Sequence, residues 1–141
     1  MNIRAWMTAP VHCLKPLDSV KHARELMEKH RINQMPVAVE GRLIGIVTDR
    51  DLRDASPSVF EGPSHQNHDQ RDDIPVRDVM SQKVLTLTPA DSIAAAAQLM
   101  RRERIGSLPI VEAEHPVGIL TRSDLLKALV ALAETPTREA D

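Results

Sequence analysis

The hydrophobic pattern of this chain changes period along its length, and it goes through the same changes twice. A short apolar run at Val11–Leu14 comes first. Apolar residues then fall at helical spacing on Val20, Ala23, Leu26 and Met27, with Lys21, Arg24, Glu28 and Lys29 largely opposite. That predicts a helix with one buried stripe, and Asp18-Ser19 ahead of it is a helix-start signal. Two strand-length blocks follow, Met35–Val39 and Leu43–Val47, and Glu40-Gly41 between them predicts a hairpin turn. A second helix is expected from about Asp49 to Ala55. The later half repeats the series: a run at Val84–Leu87, a helical stripe of Ile93, Ala96, Ala97 and Met100, then strands at Leu108–Val111 and Val117–Leu120. Its last helix runs from about Arg122 to Ala133. The connection Glu112–Pro116 has no glycine and predicts a wider turn than the first.

Sliding the chain along itself turns this similarity into a register. At an offset of 73, Arg4–Arg53 aligns with Arg77–Leu126 without a gap. Pro16, Asp18 and Ser19 meet Pro89, Asp91 and Ser92, while Arg31-Ile32 meets Arg104-Ile105 and Pro36 meets Pro109. Gly45-Ile-Val-Thr48 meets Gly118-Ile-Leu-Thr121, and Asp51-Leu52 meets Asp124-Leu125. The chain is therefore an internal duplication of a βαββα unit, of the α/β (α+β) class. Residues 1–55 form the first repeat and 76–133 the second, with a C-terminal tail at 134–141. Residues 56–75, rich in Ser, Pro, His, Asn, Gln and Asp without either period, are expected to be a mobile linker. One such unit cannot cover its own apolar sheet face, so the two are expected to cover each other through their sheets about a pseudo-two-fold axis.

Composition narrows the function. The only aromatics are Trp6 and Phe60, so aliphatic residues and Met must fill the core and an aromatic ligand cage is excluded. A net charge of −2 gives no electrostatic reason for nucleic-acid binding. Cys13, the one cysteine, rules out an internal disulfide and a cysteine-clustered zinc site. The N-terminus lacks the pattern of a secretory signal. The longest apolar stretch, near Leu125–Ala133, falls far short of the ~20 residues of a membrane span. A cytoplasmic protein is expected.

The chemistry-bearing residues are few. Thr48-x-x-Asp51 and Thr121-x-x-Asp124 stand where a strand gives way to a helix, the spacing of a capping box. His65, His68, Asp69, Asp72 and Asp73 lie in the linker, where no framework would hold a metal. His12, His22, His30 and His115 are scattered, and Cys13 is expected to be a buried, inert thiol. Arg101, Arg102 and Arg104 complement a helix C-terminus. No nucleophile–base set and no phosphate loop is visible, so no enzyme is expected. Leu125, Leu126, Leu129, Val130 and Leu132 make the last helix apolar on more than one side, as would suit its own sheet or a second subunit.

The strings Ile32-Asn-Gln-Met-Pro36-Val37 with Gly45-Ile-Val-Thr48-Asp-Arg-Asp51-Leu52, and Ile105-Gly-Ser-Leu-Pro109-Ile110 with Gly118-Ile-Leu-Thr121-Arg-Ser-Asp124-Leu125, carry a family resemblance. They resemble a cystathionine-β-synthase (CBS) domain pair, or Bateman module, similar to small bacterial stand-alone CBS-pair proteins and the CBS portion of acetoin-utilisation-type proteins. The resemblance implies a regulatory module that binds an adenosine-containing ligand in inter-repeat clefts and signals by conformational change. AMP, ADP or ATP is implied ahead of NAD or S-adenosylmethionine, with no required cofactor and no metal. It pairs Thr48, Arg50 and Asp51 with Ile105 and Gly106, and Thr121, Ser123 and Asp124 with Ile32 and Asn33. A homodimer and a regulated protein partner are also implied. The alternative is a structural homodimerisation module whose clefts stay unoccupied.

Overall fold

Helix α1 (Val20–His30) starts where the sequence signals it, because the Ser19 hydroxyl accepts the His22 N–H at 3.0 Å. This computed structural model describes residues 1–55 and 74–136, so residues 56–73 of the expected linker, its histidines and the end of the tail lie outside the described residues. Ile74 and Pro75, expected in that linker, are instead fastened to the fold, Ile74 packing against the core and Pro75 bridging Ser19. After α1 come strands β1 (Gln34–Val39) and β2 (Arg42–Thr48) and helix α2 (Asp49–Ala55). The second repeat gives α3 (Ile93–Glu103), β3 (Ser107–Glu112), β4 (His115–Thr121) and α4 (Arg122–Glu134). The strands form two antiparallel two-stranded sheets, β1–β2 and β3–β4.

Three local expectations are corrected. The runs at Val11–Leu14 and Val84–Leu87 are not strands; each makes one isolated parallel bridge, Leu14 to Val37 and Leu87 to Ile110. Pro16 and Pro89, lacking an N–H, follow each run by two residues and cannot extend a ladder. The second hairpin is as tight as the first. Glu40 and Gly41 have φ of 50° and 81°, and Ala113 and Glu114 have 49° and 70°. Two successive left-handed residues are what a two-residue hairpin requires, and here two non-glycine residues adopt that conformation despite its steric cost. Finally, Cys13 is exposed; Leu14, its neighbour, takes the buried position.

The chain divides into two units, and their membership crosses the repeats. One unit holds Met1–Val11 with Leu85–Ala113 and Val117–Asp141; the other holds His12–Val84 with Glu114–Pro116. In the first, Ile3–Ala5 forms a single 3-10 turn, and buried Ile3 packs with Ala96, Met100, Leu108, Ile110 and Leu120. Trp6 and Met7 lie against that cluster. In the second, the 3-10 turn Val76–Asp78 brings buried Val76 to Leu14, Val20, Ala23, Met35, Val37, Val47 and Leu52. The same backbone bonds tie each lead segment down. Ile93 N–H donates to Met1 O and Val20 N–H to Ile74 O, so a lead-segment carbonyl satisfies an otherwise orphaned amide at each helix start. Beyond, Thr8 and Ile119 exchange backbone bonds at 2.8 and 2.9 Å, as do Ser81 and Ile46 at 2.9 and 3.0 Å.

Candidate nucleotide site

The Thr-x-x-Asp motifs sit at the last strand residue and the first helical turn of each repeat. In the first, Thr48 N–H donates to Asp51 Oδ2 at 2.9 Å, and Asp51 N–H donates to the Thr48 hydroxyl at 3.1 Å. In the second, Thr121 N–H donates to Asp124 Oδ2 at 2.9 Å, and Asp124 N–H donates to Thr121 Oγ1 at 3.2 Å. Both are reciprocal capping boxes, as the spacing alone predicted. The boxes hold the carboxylates at fixed positions.

The two carboxylates differ in what else they meet. Asp51 is half-buried, and its Oδ1 has no hydrogen-bond partner among the described residues. Asp124 is only 5% exposed. Its Oδ2 also accepts from the Thr121 hydroxyl at 3.1 Å, and the Thr8 hydroxyl lies 3.5 Å from both its oxygens. At the position equivalent to Thr8, the Ser81 hydroxyl turns instead to Lys83 O at 3.4 Å.

Within one unit, Asn33 joins the Thr48 motif, since its carbonyl accepts the Asp49 N–H at 2.8 Å; Ile32 precedes it, half-buried. Within the other, the Gly106 carbonyl accepts the Arg122 N–H at 3.0 Å, with half-buried Ile105 beside it. Arg50 and Ser123 are exposed in the first turns of α2 and α4. A basic residue the sequence reading passed over is Arg122. A Cβ added to Gly106 would lie 3.4 Å from its guanidinium carbon, so the missing side chain leaves room for that cation.

The sequence profile of the CBS domain matches residues 3–58 and again 76–131. The chain belongs to the CBS domain family. This CBS pair is 33% identical over 124 residues to the CBS domain-containing protein YhcV of Bacillus subtilis, spanning 88% of this chain and 82% of that protein. Its fold matches the crystal structure of an acetoin utilization protein, AcuB, from Vibrio cholerae, with a TM-score of 0.80 and 30% identity over 95% of this chain and 93% of the other. It also matches CBSX2, whose crystal structure in complex with AMP has a TM-score of 0.79 and 26% identity, covering 94% and 98% of the two chains. Among the described residues no helix is long and apolar enough to cross a membrane. No group of three or more His, Cys, Asp or Glu among them could hold a metal ion.

One feature outside the motifs was invisible in the sequence. His12 and His30 stack, with ring centroids 3.9 Å apart and planes 18° from parallel. Partial burial first, then His12 and Lys29, hold the His30 imidazole below its ordinary range. The Cys13 thiol, though exposed, is desolvated enough by its surroundings for its pKa to be raised, which suits an unreactive sulfur.

Proposed function

We propose that this CBS pair is a regulatory module without catalysis of its own, binding an adenosine nucleotide and signalling through a change of shape. AMP, ADP or ATP is the expected ligand, ahead of NAD and S-adenosylmethionine, and no further cofactor is required. The carrying observation is the pair of fixed carboxylates, Asp51 and Asp124, set by reciprocal bonds to Thr48 and Thr121. A carboxylate can accept from both hydroxyls of a ribose, and Asp51 Oδ1 is available to do so. Arg50, Ser123, Ile32, Asn33, Ile105 and Gly106 complete the binding set, with Arg50 serving phosphate. That CBSX2 binds AMP supports the ligand class.

The module acts as a cytoplasmic homodimer on a protein partner. Leu126, Leu129 and Val130 are exposed along one face of α4, and closed two-fold pairing is the commonest way to cover such a stripe. Light scattering should give twice the monomer mass at micromolar concentration, and Leu129→Glu should return it to one.

The capping boxes favour a second reading, a structural dimerisation module that binds nothing, because they account for Thr and Asp without a ligand. Titration calorimetry of wild type, Asp51→Asn and Asp124→Asn with AMP and ATP separates the two. The nucleotide reading expects Asp51→Asn to weaken binding about tenfold to a hundredfold, through loss of a charge-assisted bond. The other expects no binding heat from any protein, and only a stability loss of ~1 kcal/mol from the lost cap.

A further inference from the structure

Gln34, the first residue of β1, is 9% exposed, and its side-chain Nε2 has no hydrogen-bond acceptor among the described residues. It is the only such buried side-chain nitrogen or oxygen among the described residues. Buried donors are almost always matched, and an unmatched one carries a standing desolvation cost. A glutamine there, where an apolar residue would carry no such cost, therefore points to an acceptor that comes from outside the chain.

Its place says which. Gln34 is the register partner of Thr48 across the β1–β2 ladder, so the two side chains leave the same face of the sheet as close neighbours. Thr48 opens the motif that fixes Asp51, and Asn33, the residue before Gln34, bonds to Asp49. Ser107 holds the equivalent position at the start of β3, so the second motif has no amide there.

We infer that the Gln34 amide donates to a bound nucleotide at the Thr48–Asp51 motif, to a neutral acceptor of its nucleoside part. The neutrality follows from the surroundings: Met35, Pro36 and Val37, next along the strand, are buried, and a phosphate brought to that depth would lose its hydration. The phosphates belong instead at the surface beside exposed Arg50. This inference rests on the nucleotide reading above and adds a selectivity residue to it, one present in the first repeat alone.

The test combines calorimetry with nitrogen–proton correlation spectra of the full chain. The Gln34 side-chain amide signal, assigned by its loss in Gln34→Leu, should shift on adding AMP. Gln34→Leu should bind adenosine and AMP each about tenfold more weakly, while melting no lower than wild type, because it removes an unmatched donor. An AMP titration that leaves the signal unmoved, with equal affinities for wild type and variant, overturns the inference and leaves the nucleotide reading intact. A loss for AMP but not for adenosine overturns the neutral acceptor in favour of phosphate. If wild type binds none of adenosine, AMP, ADP or ATP, both fall together. Should Gln34→Leu fail to fold, the wild-type amide signal, assigned instead by through-bond correlation to the Gln34 backbone, alone decides.

Discussion

Gly45 and Gly118 are matched residues of β2 and β4 whose missing side chains admit the lead segments. A Cβ on Gly45 would stand 2.5 Å from Met80 Sδ and 3.0 Å from Ser81 O; on Gly118, 2.8 Å from Met7 Sδ and 3.0 Å from Thr8 O. The methionines can swing away, but the carbonyls belong to the backbone bonds that fasten each segment. Gly45→Ala and Gly118→Ala should each cost about 1–3 kcal/mol in urea unfolding. Gly106→Ala should be nearly neutral, since it meets only the flexible Arg122 side chain. A second residue-scale prediction concerns pH. The His30 pKa in the folded chain lies below the ordinary 6.5, so the unfolded chain binds more protons as pH falls through that value. Its contribution to stability is therefore full above 6.5 and lost below it. Wild type should lose melting temperature between pH 7 and 5.5, and His30→Gln should lose less over the same range.

At the scale of elements, caps and turns set the boundaries. Ser19 and Ser92 accept from His22 and Ala95 N–H at 3.0 and 2.9 Å, so Ser19→Ala or Ser92→Ala should lower unfolding free energy by ~1 kcal/mol, measured by chemical denaturation. These caps and the helix stripes were legible because they are local: a Ser, an Asp and a period of 3.6 act within a few residues. The Thr-x-x-Asp boxes were legible for the same reason. What local reading misjudged was the lead runs, whose apolar pattern suits a strand but whose following prolines allow one bridge. It also misjudged the second hairpin, where Ala113 and Glu114 take left-handed angles that no residue preference announces. The candidate site divided similarly. Its motif could be read from spacing, but the orphaned Gln34 amide, the extra hydroxyl beside Asp124 and the guanidinium over Gly106 depend on long-range folding.

At the scale of the whole molecule, neither core is assembled from one repeat. Ile3, Trp6 and Met7 serve the cluster around Leu108 and Leu120, and Val76 serves the one around Met35 and Val47. Fragments 1–73 and 74–141 should each fold poorly alone and recover native helix content when mixed, as circular dichroism would report. An equal melting transition in either isolated fragment would contradict this.

The same exchange of lead segments sets an order in time. Ile3 leaves the ribosome ahead of Leu108, Ile110 and Leu120 and waits for them, since they are made more than a hundred residues later. At roughly 5–20 residues per second, that delay is on the order of 5–20 s. During it, the nascent chain holds an apolar segment whose partners do not yet exist. A second newborn copy could supply them as readily as the chain's own later half. Crowded synthesis, several ribosomes on one message, is therefore the condition under which this protein would entangle with its siblings.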